Sequence, residues 1–243
     1  MEGDNFKLYQ GDCLEILKVI PNETIDVILT SPPYNLGNNH HTNKKKTQAY
    51  SDSMDEEEYQ IWQINVLQEC FRVLKKTGSL LYNHKNRIKD GLQITPYEWL
   101  FKTSFLFKQE LVWINGSPNF DKIRFYPFTE RIYWMVKDKK TILDNVINSH
   151  DVFKWSAEGS NLKHSRTFPK KMALDLLECF PDSKVILDPF MGSGTVGVVS
   201  KILKKHFIGI EKNEEFFTYA QDRIKNNFPE TDKNKILKVK TLF

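Results

Sequence analysis

Four consecutive residues, Ser31-Pro32-Pro33-Tyr34, combine a hydroxyl, two stiffened backbone carbonyls and an aromatic ring. An exocyclic amine on an aromatic base is a poor nucleophile, because its lone pair is delocalised into the ring. Acceptors that take its N–H hydrogens turn the lone pair toward an electrophile. The Ser31 hydroxyl and the Pro32 carbonyl are such acceptors, and successive prolines hold that backbone rigid. Tyr34 offers a flat face on which an extracted base can stack. With a methyl already activated on a sulfonium as electrophile, positioning supplies much of the rate, and neither a metal nor a covalent intermediate is needed. A polyproline-type ligand or an ordinary loop is the competing reading of a bare Pro-Pro-Tyr. The order Pro-Pro-Tyr-Asn does not fit a P-P-x-Y ligand.

A second constellation lies downstream, at Asp188-Pro189-Phe190-Met191-Gly192-Ser193-Gly194-Thr195. Gly192 and Gly194 let a ligand approach the backbone closely, and the helix expected to follow starts with unpaired N–H groups. Glu211, at the end of the next strand, can accept hydrogen bonds from both hydroxyls of a ribose. The turn lacks the lysine of a phosphate-binding P-loop, and Val196-Gly197 displaces the last glycine of a dinucleotide fingerprint. A purely structural tight turn is the alternative. Asp12 sits at another strand end, where it can accept from an adenine amino group, cap a helix from Cys13 to Ile20, or do both. Cys13 reads as a small packing residue.

The elements that must position these residues follow from periodicity. Ile25 to Thr30 (IDVILT) is a β-branched run suited to a strand buried on both faces, and the prolines end it. Strands are also expected at Phe6 to Tyr9, Ser79 to Tyr82, Gln109 to Asn115, Arg131 to Val136, Lys184 to Leu187 and Phe207 to Ile210. Asp55 to Glu58 open a helix whose apolar stripe is Trp62, Val66, Cys70 and Val73, ending near Lys75 to Gly78. Further helices are expected from Leu14, over Pro169 to Phe180, up to Leu203, and from Glu214. Polar residues 35–53 read as a mobile loop, and Asp138 to His164 as short irregular elements. Alternation at both ends of the chain implies a doubly wound, mostly parallel α/β sheet, with ligands at the strand carboxyl ends.

Composition narrows the class. The 243 residues suit a single domain, and 40% hydrophobic residues supply its core. A net charge of +4 is only a weak pointer to a polyanion, so the distribution of charge matters more. Cys13, Cys70 and Cys179 form no C-x-x-C pair, which argues against a disulfide framework or a thiolate zinc site. His40-His41 lacks acidic or thiol partners at ligand spacing, so no metal is expected. With no apolar signal core and no run able to span a bilayer, a cytoplasmic location without membrane attachment is the expectation.

Thr30 to Asn35 (TSPPYN) resembles the catalytic motif of DNA amino-methyltransferases, and Asp188 to Thr195 (DPFMGSGT) resembles their cofactor motif. The catalytic motif comes first, as in the circularly permuted β group of the N4-cytosine/N6-adenine family. Gly11-Asp12-Cys13 is similar to that group's adenine-contacting motif. Thr167 to Lys170 (TFPK) is similar to its segment contacting the methionine part of the cofactor. The resemblance implies a Rossmann-like S-adenosylmethionine-dependent fold. It assigns catalysis to Ser31, Pro32, Pro33 and Tyr34. The implied cofactor residues are Asp12, Cys13, Ser31, Phe168, Pro169, Lys170, Asp188, Phe190, Gly192, Ser193, Gly194, Thr195, Glu211 and Lys212. Protein-glutamine methyltransferases carry the cofactor motif first, and cytosine-C5 enzymes need a Pro-Cys nucleophile absent here.

Double-stranded DNA is the implied substrate, with a homodimer and a cognate restriction endonuclease as further partners to test. Candidate DNA contacts are Lys85 and Arg87 in His84-Lys85-Asn86-Arg87, and Lys122 and Arg124 in the aromatic, basic stretch Lys122 to Tyr126. The lysines 44–46 form a third basic cluster. Each cluster has the bland alternative of a solvated surface. Residues 115–165 are the expected target-recognition region, with Asn115 to Tyr126 at its centre. Serine at the first catalytic position leans toward N4 of cytosine, with N6 of adenine as the alternative. An RNA or protein amino-methyltransferase is the more distant option.

Overall fold

The computed structural model describes residues 2–3, 5–37, 53–116, 123–145, 150–155 and 169–226. A nine-stranded mixed sheet runs through it. In chain order its strands are β1 (Glu2–Gly3), β2 (Phe6–Gln10), β3 (Ile25–Thr30), β4 (Leu74–His84), β7 (Leu106–Ile114), β8 (Thr129–Val136), β9 (Val152–Phe153), β10 (Val185–Asp188) and β11 (His206–Glu211). Their spatial order is β1-β2-β11-β10-β3-β4-β8-β7-β9. The five central strands β2, β11, β10, β3 and β4 are mutually parallel, whereas β8 returns antiparallel against β4.

Helices cover both faces. From Val27 to Leu29, past the register shift that follows Ile25, strand residues alternate between the layers: Val27 and Leu29 join a core with α4 (Lys170–Glu178), α5 (Thr195–Ile202) and α6 (Glu214–Lys225). Ile25 and Ile28 join the opposite core with α1 (Cys13–Val19), α2 (Glu56–Val73) and α3 (Tyr97–Leu100). Period-two alternation in a strand buried on both sides leaves no polar face, which is why IDVILT is apolar almost throughout. The helix starts are capped by their own sequence: Asp12, Asp55 and Asn213 accept from the N–H groups of Leu14, Glu57 and Phe216.

From β3 the chain crosses through α2 to β4 on one side. From β10 it crosses through α5 to β11 on the other. The carboxyl ends of β3 and β10 therefore meet at a topological switch point, where an open α/β sheet leaves a crevice for ligands. The chain leaves β3 as SPPY and β10 as PFMGSG.

Three local departures from the sequence expectations have physical causes. No loop separates α2 from β4. Ile25 pairs with Leu74 and Val27 with Ser79, so the expected turn at Lys75 to Gly78 is a bulge inside the strand. Lys75 turns back to Asp26 at 2.7 Å. A hairpin of β5 (Arg87–Lys89) and β6 (Leu92–Ile94) is absent from the expectations, although Asp90-Gly91 at its tip carries the signal. Both residues have positive φ, 52° and 81°, as a two-residue primed turn requires.

The third departure corrects the expectation that Arg87 faces DNA. Its side chain is 5% exposed and makes a two-pronged ion pair with Glu56, at 2.7 Å on each arm. The guanidinium also lies over the rings of Tyr59 (4.8 Å) and Trp99 (5.5 Å). A buried pair is costly to break, because one charge is stranded in a desolvated setting. Arg87→Ala should lower unfolding stability by about 3 kcal/mol in denaturant titration, and a loss below about 1 kcal/mol would mean that the pair behaves as a surface one.

Candidate active site

The glycine turn after β10 is held by backbone and by carboxylates. Met191 N–H donates to Ile210 O, and Gly194 N–H to Met191 O, each at 2.8 Å. Gly192 and Gly194 have φ of 51° and 78°, in the left-handed region where a side chain is strained. A Cβ at residue 194 would also sit 3.0 Å from that of Ala220 on α6. Arg223 of α6 donates to the Ser193 carbonyl at 2.5 Å, fixing the turn from beneath.

Glu211 organises this side. One carboxylate oxygen accepts from Gly192 N–H at 2.9 Å and the other from Asn213 N–H at 2.8 Å. Its own carbonyl accepts from Gly11 N–H at 3.0 Å, tying the β2 turn to the β11 end. Burial pushes the Glu211 carboxyl upward, and the N–H groups of Asn213, Gly192 and Lys212 oppose that. Asp12 caps α1 and also pairs with Lys212 at 3.1 Å, so its capping role is realised. Cys13 is buried, and burial followed by the Asp12 charge raises its thiol to about 12, leaving it protonated and inert. Phe190 meets Trp62 edge-on with centroids 5.5 Å apart. Pro169 and Lys170 open α4. Phe168 lies outside the described residues, as do Lys122, residues 38–52 of the expected loop, and the rest of 156–168.

Across the switch point, Thr30 Oγ1 donates to Asp188 Oδ1 at 2.8 Å, and Phe190 N–H donates to the same oxygen at 3.0 Å. Both Thr30 and Asp188 are almost fully buried. Burial raises the Asp188 carboxyl from the ordinary 3.8 to about 7, against the lowering effect of Thr30 and Phe190.

The SPPY loop rests on a polar floor. Tyr34 Oη lies 2.6 Å from Asn83 Oδ1, 2.8 Å from Ser31 Oγ and 3.1 Å from Glu130 Oε2. Its ring tilts against His84, with centroids 4.6 Å apart. Tyr59, on α2, donates to the Pro33 carbonyl at 2.7 Å and receives Gln63 Nε2 at 2.9 Å. Among the described residues nothing donates to the Pro32 carbonyl. Burial pushes the Tyr34 hydroxyl well up, with the Glu130 charge second, and burial pulls His84 down to about 3. Tyrosine and histidine are thus both neutral near pH 7. Asn35, at φ 55°, exchanges two hydrogen bonds with the Met54 backbone, at 2.7 and 3.1 Å.

The structure thus brings Ser31, Pro32, Pro33 and Tyr34 to the same sheet edge as Asp12, Asp188, Gly192, Ser193, Gly194, Thr195, Glu211 and Lys212. His84, named beside the DNA-facing candidates, is instead fully buried under the loop. Lys85 is half-buried beside it. Sequence reasoning missed the floor itself: Tyr59, Gln63, Asn83 and Glu130. Its signal was the polar triplet Tyr82-Asn83-His84 at the carboxyl end of an otherwise apolar strand. Residues 123–128 run into β8, whose Arg131 pairs with His84, so they flank the same edge. Phe125 there is fully exposed, and Arg124 reaches the hairpin at Gly91 O, 3.4 Å away.

This arrangement defines a class: a doubly wound sheet whose switch point joins a proline-stiffened acceptor loop to a glycine turn backed by a buried glutamate. Residues 25–222 match the family described as DNA methylase, of N6/N4 type, and the chain belongs to that family. Among curated relatives, the chain is 29% identical to the type II methyltransferase M.HinfI of Haemophilus influenzae, over 91% of this chain and 69% of the relative. It is 27% identical to M.ScaI of Streptomyces caespitosus, over 92% and 82%. Among solved structures, PvuII DNA methyltransferase (cytosine-N4-specific) superposes with a TM-score of 0.76 at 23% identity, covering 97% of this chain and 92% of that one. The complex of M1.HpyAVI with SAM gives 0.63 at 21%, covering 90% and 99%. These likenesses bear out the Rossmann-like methyltransferase fold. Among the described residues, no helix is long and apolar enough to cross a membrane.

The Asp188 shift has a signed consequence. The unfolded carboxyl ionises near 3.8 and the folded one near 7, so the folded state holds the extra proton between them. Rising pH therefore removes stability through that window. Asp188→Asn keeps both accepted hydrogen bonds without the buried charge. Its stability advantage over the wild type should grow from pH 4 to 7, by the order of a few kcal/mol, and then level off. An advantage independent of pH in denaturant titrations would contradict the shift.

Proposed function

We propose that the chain transfers a methyl group from S-adenosylmethionine to the exocyclic amino group of a base in duplex DNA, N4 of cytosine first among them, as a type II, site-specific enzyme. The observation that carries this reading is the meeting of the SPPY loop and the glycine turn across the Thr30–Asp188 hydrogen bond. The residues present suit the cofactor. Two carboxylates, Asp12 and Glu211, end the parallel neighbours β2 and β11, with the glycine turn between Glu211 and the catalytic loop. The Glu211 carboxylate takes Gly192 N–H on one oxygen and Asn213 N–H on the other, and a carboxylate offers about four lone-pair sites, so capacity remains for a ribose hydroxyl. Asp12 stands where an adenine amine can be read, and Pro169, Lys170, Phe190, Ser193, Thr195 and Lys212 complete the lining. When bound, the cofactor supplies a methyl group activated on sulfonium sulfur.

This chain then has to present the amine. Ser31 Oγ and the Pro32 carbonyl accept its two N–H hydrogens, which turns the nitrogen lone pair toward the methyl carbon. Tyr59 occupies the neighbouring Pro33 carbonyl and so fixes the loop against rotation. Tyr34 supports the base ring, which must leave the duplex stack to reach this depth. Arg124 and the exposed Phe125 belong to the edge where DNA arrives. Serine at residue 31 favours cytosine.

Three measurements test the reading. Duplex DNA incubated with protein and cofactor, then digested to nucleosides for mass spectrometry, should yield N4-methylcytosine. N6-methyladenine would move the target base, and no modified base with cofactor bound would refute DNA as substrate. Tyr34→Ala should abolish transfer while cofactor affinity in calorimetry stays within about twofold, and retained activity would remove the tyrosine from the site. Arg124→Ala should weaken DNA binding by about 1–3 kcal/mol or relax sequence preference. If neither changed, the 123–128 segment would not be a recognition element.

A further inference from the structure

Four oxygen atoms under the catalytic loop share too few protons. Ser31 Oγ, Tyr34 Oη, Asn83 Oδ1 and Glu130 Oε2 are linked by contacts of 2.8 Å (Ser31–Tyr34), 2.6 Å (Tyr34–Asn83), 3.2 Å (Ser31–Asn83) and 3.1 Å (Tyr34–Glu130). The orientation of the Asn83 amide is fixed, because its Nδ2 donates to the Arg131 carbonyl at 2.9 Å. Its oxygen must therefore face the loop. The other Glu130 oxygen receives Asn115 Nδ2 at 3.2 Å. A carboxylate and an amide oxygen only accept. Two hydroxyl protons, those of Ser31 and Tyr34, must serve all four contacts, and both are drawn inward.

That count bears on the reaction, because a serine can meet an amine either as acceptor or as donor. Only the acceptor form turns the amine lone pair toward an electrophile. We infer that Asn83 and Glu130 are positioning residues that hold Ser31 Oγ in its acceptor form, by drawing the Tyr34 and Ser31 protons into the protein and leaving the serine lone pairs toward the substrate amine. The inference rests on the function proposed above. It gives Tyr34 two roles, since the ring supports the base and the hydroxyl relays polarity from Glu130 to Ser31. Asn83 and Glu130 stand on the adjacent strands β4 and β8, so the relay is anchored in the sheet, whose geometry is stiffer than that of the loop. Burial raises the Tyr34 hydroxyl well above its ordinary range, which keeps the relay proton in place at working pH.

A polar plug that merely fills the space beneath the loop depends on shape, whereas a relay depends on polarity. Glu130→Gln separates the two. The introduced amide has the same shape, yet its N–H can occupy the Tyr34 lone pair that receives the Ser31 proton. Tyr34→Phe keeps the ring and deletes the relay atom. The experiment measures kcat, KM for DNA and cofactor affinity for wild type, Glu130→Gln, Tyr34→Phe and the double variant, with Glu130→Asp as the conservative control. Each of the two single variants should lose about tenfold in kcat, with cofactor affinity, KM and thermal midpoint near wild type. Glu130→Asp should retain more activity than Glu130→Gln. The double variant should be no worse than the poorer single, since Glu130 acts through the tyrosine hydroxyl. Wild-type kcat in Glu130→Gln, losses that multiply in the double variant, or losses that track cofactor affinity and thermal midpoint would each overturn the relay. An inactive wild-type protein on duplex DNA would instead overturn the proposed function and the relay with it, so the two failures are told apart by the wild type alone.

Discussion

The hydrogen bond from Thr30 to Asp188 is the contact on which the rest of the site depends. It joins the last residue of β3 to the last residue of β10, two strands whose connections leave in opposite directions. Each strand end launches one half of the proposed site. The parallel ladder of β3 and β10 sets the two strands side by side, and this one pair of side chains locks their ends, from which the acceptor loop and the glycine turn leave. Burial is what gives the bond its weight. An aspartate without water has few ways to be satisfied, and one of its oxygens takes both Thr30 and the Phe190 N–H.

Several buried polar groups cluster at this edge. Asp188, Glu211, Tyr34, His84, Asn83 and Gln63 all sit where a stability-optimised protein would place hydrocarbon. Their desolvation shows as upward shifts for the acids and the tyrosine, and a downward shift for the histidine. The apolar layers on both faces of the sheet offset that cost. Leucine, isoleucine and valine from β3, β10 and β11 pack against α1 and α2 on one side and α4 to α6 on the other. A sheet stiff enough to hold SPPY and the glycine turn in register is the return for that burial.

Much of this is legible in the sequence, for a physical reason. A strand buried on both faces must be apolar, so its end is marked wherever a polar or proline residue appears, and both ligand turns begin at such marks. Ile25 to Thr30 has the same boundaries in sequence pattern and structure, and the alternation of strands and helices at both ends of the chain predicts the doubly wound topology. What stays hidden depends on contacts across long separations. Glu130 meets Tyr34 across 96 positions, and no local pattern announces that pair. Arg87 looks like a surface cation in sequence because its partner Glu56 and the rings of Tyr59 and Trp99 lie on other elements. The hairpin at Asp90-Gly91 has a local signal, but its strands are three residues each, too short for alternation to show.

If the two halves of the site are held together as described, Thr30→Val tests it most directly. Valine preserves the shape and strand preference of residue 30 and deletes only the donor to Asp188. The variant should fold, and single-turnover methyl transfer to duplex DNA should slow roughly tenfold, with weaker cofactor binding in the same preparation. Transfer and cofactor affinity both within about twofold of wild type would show that the catalytic loop and the glycine turn are positioned independently, and would contradict the central role given to this bond.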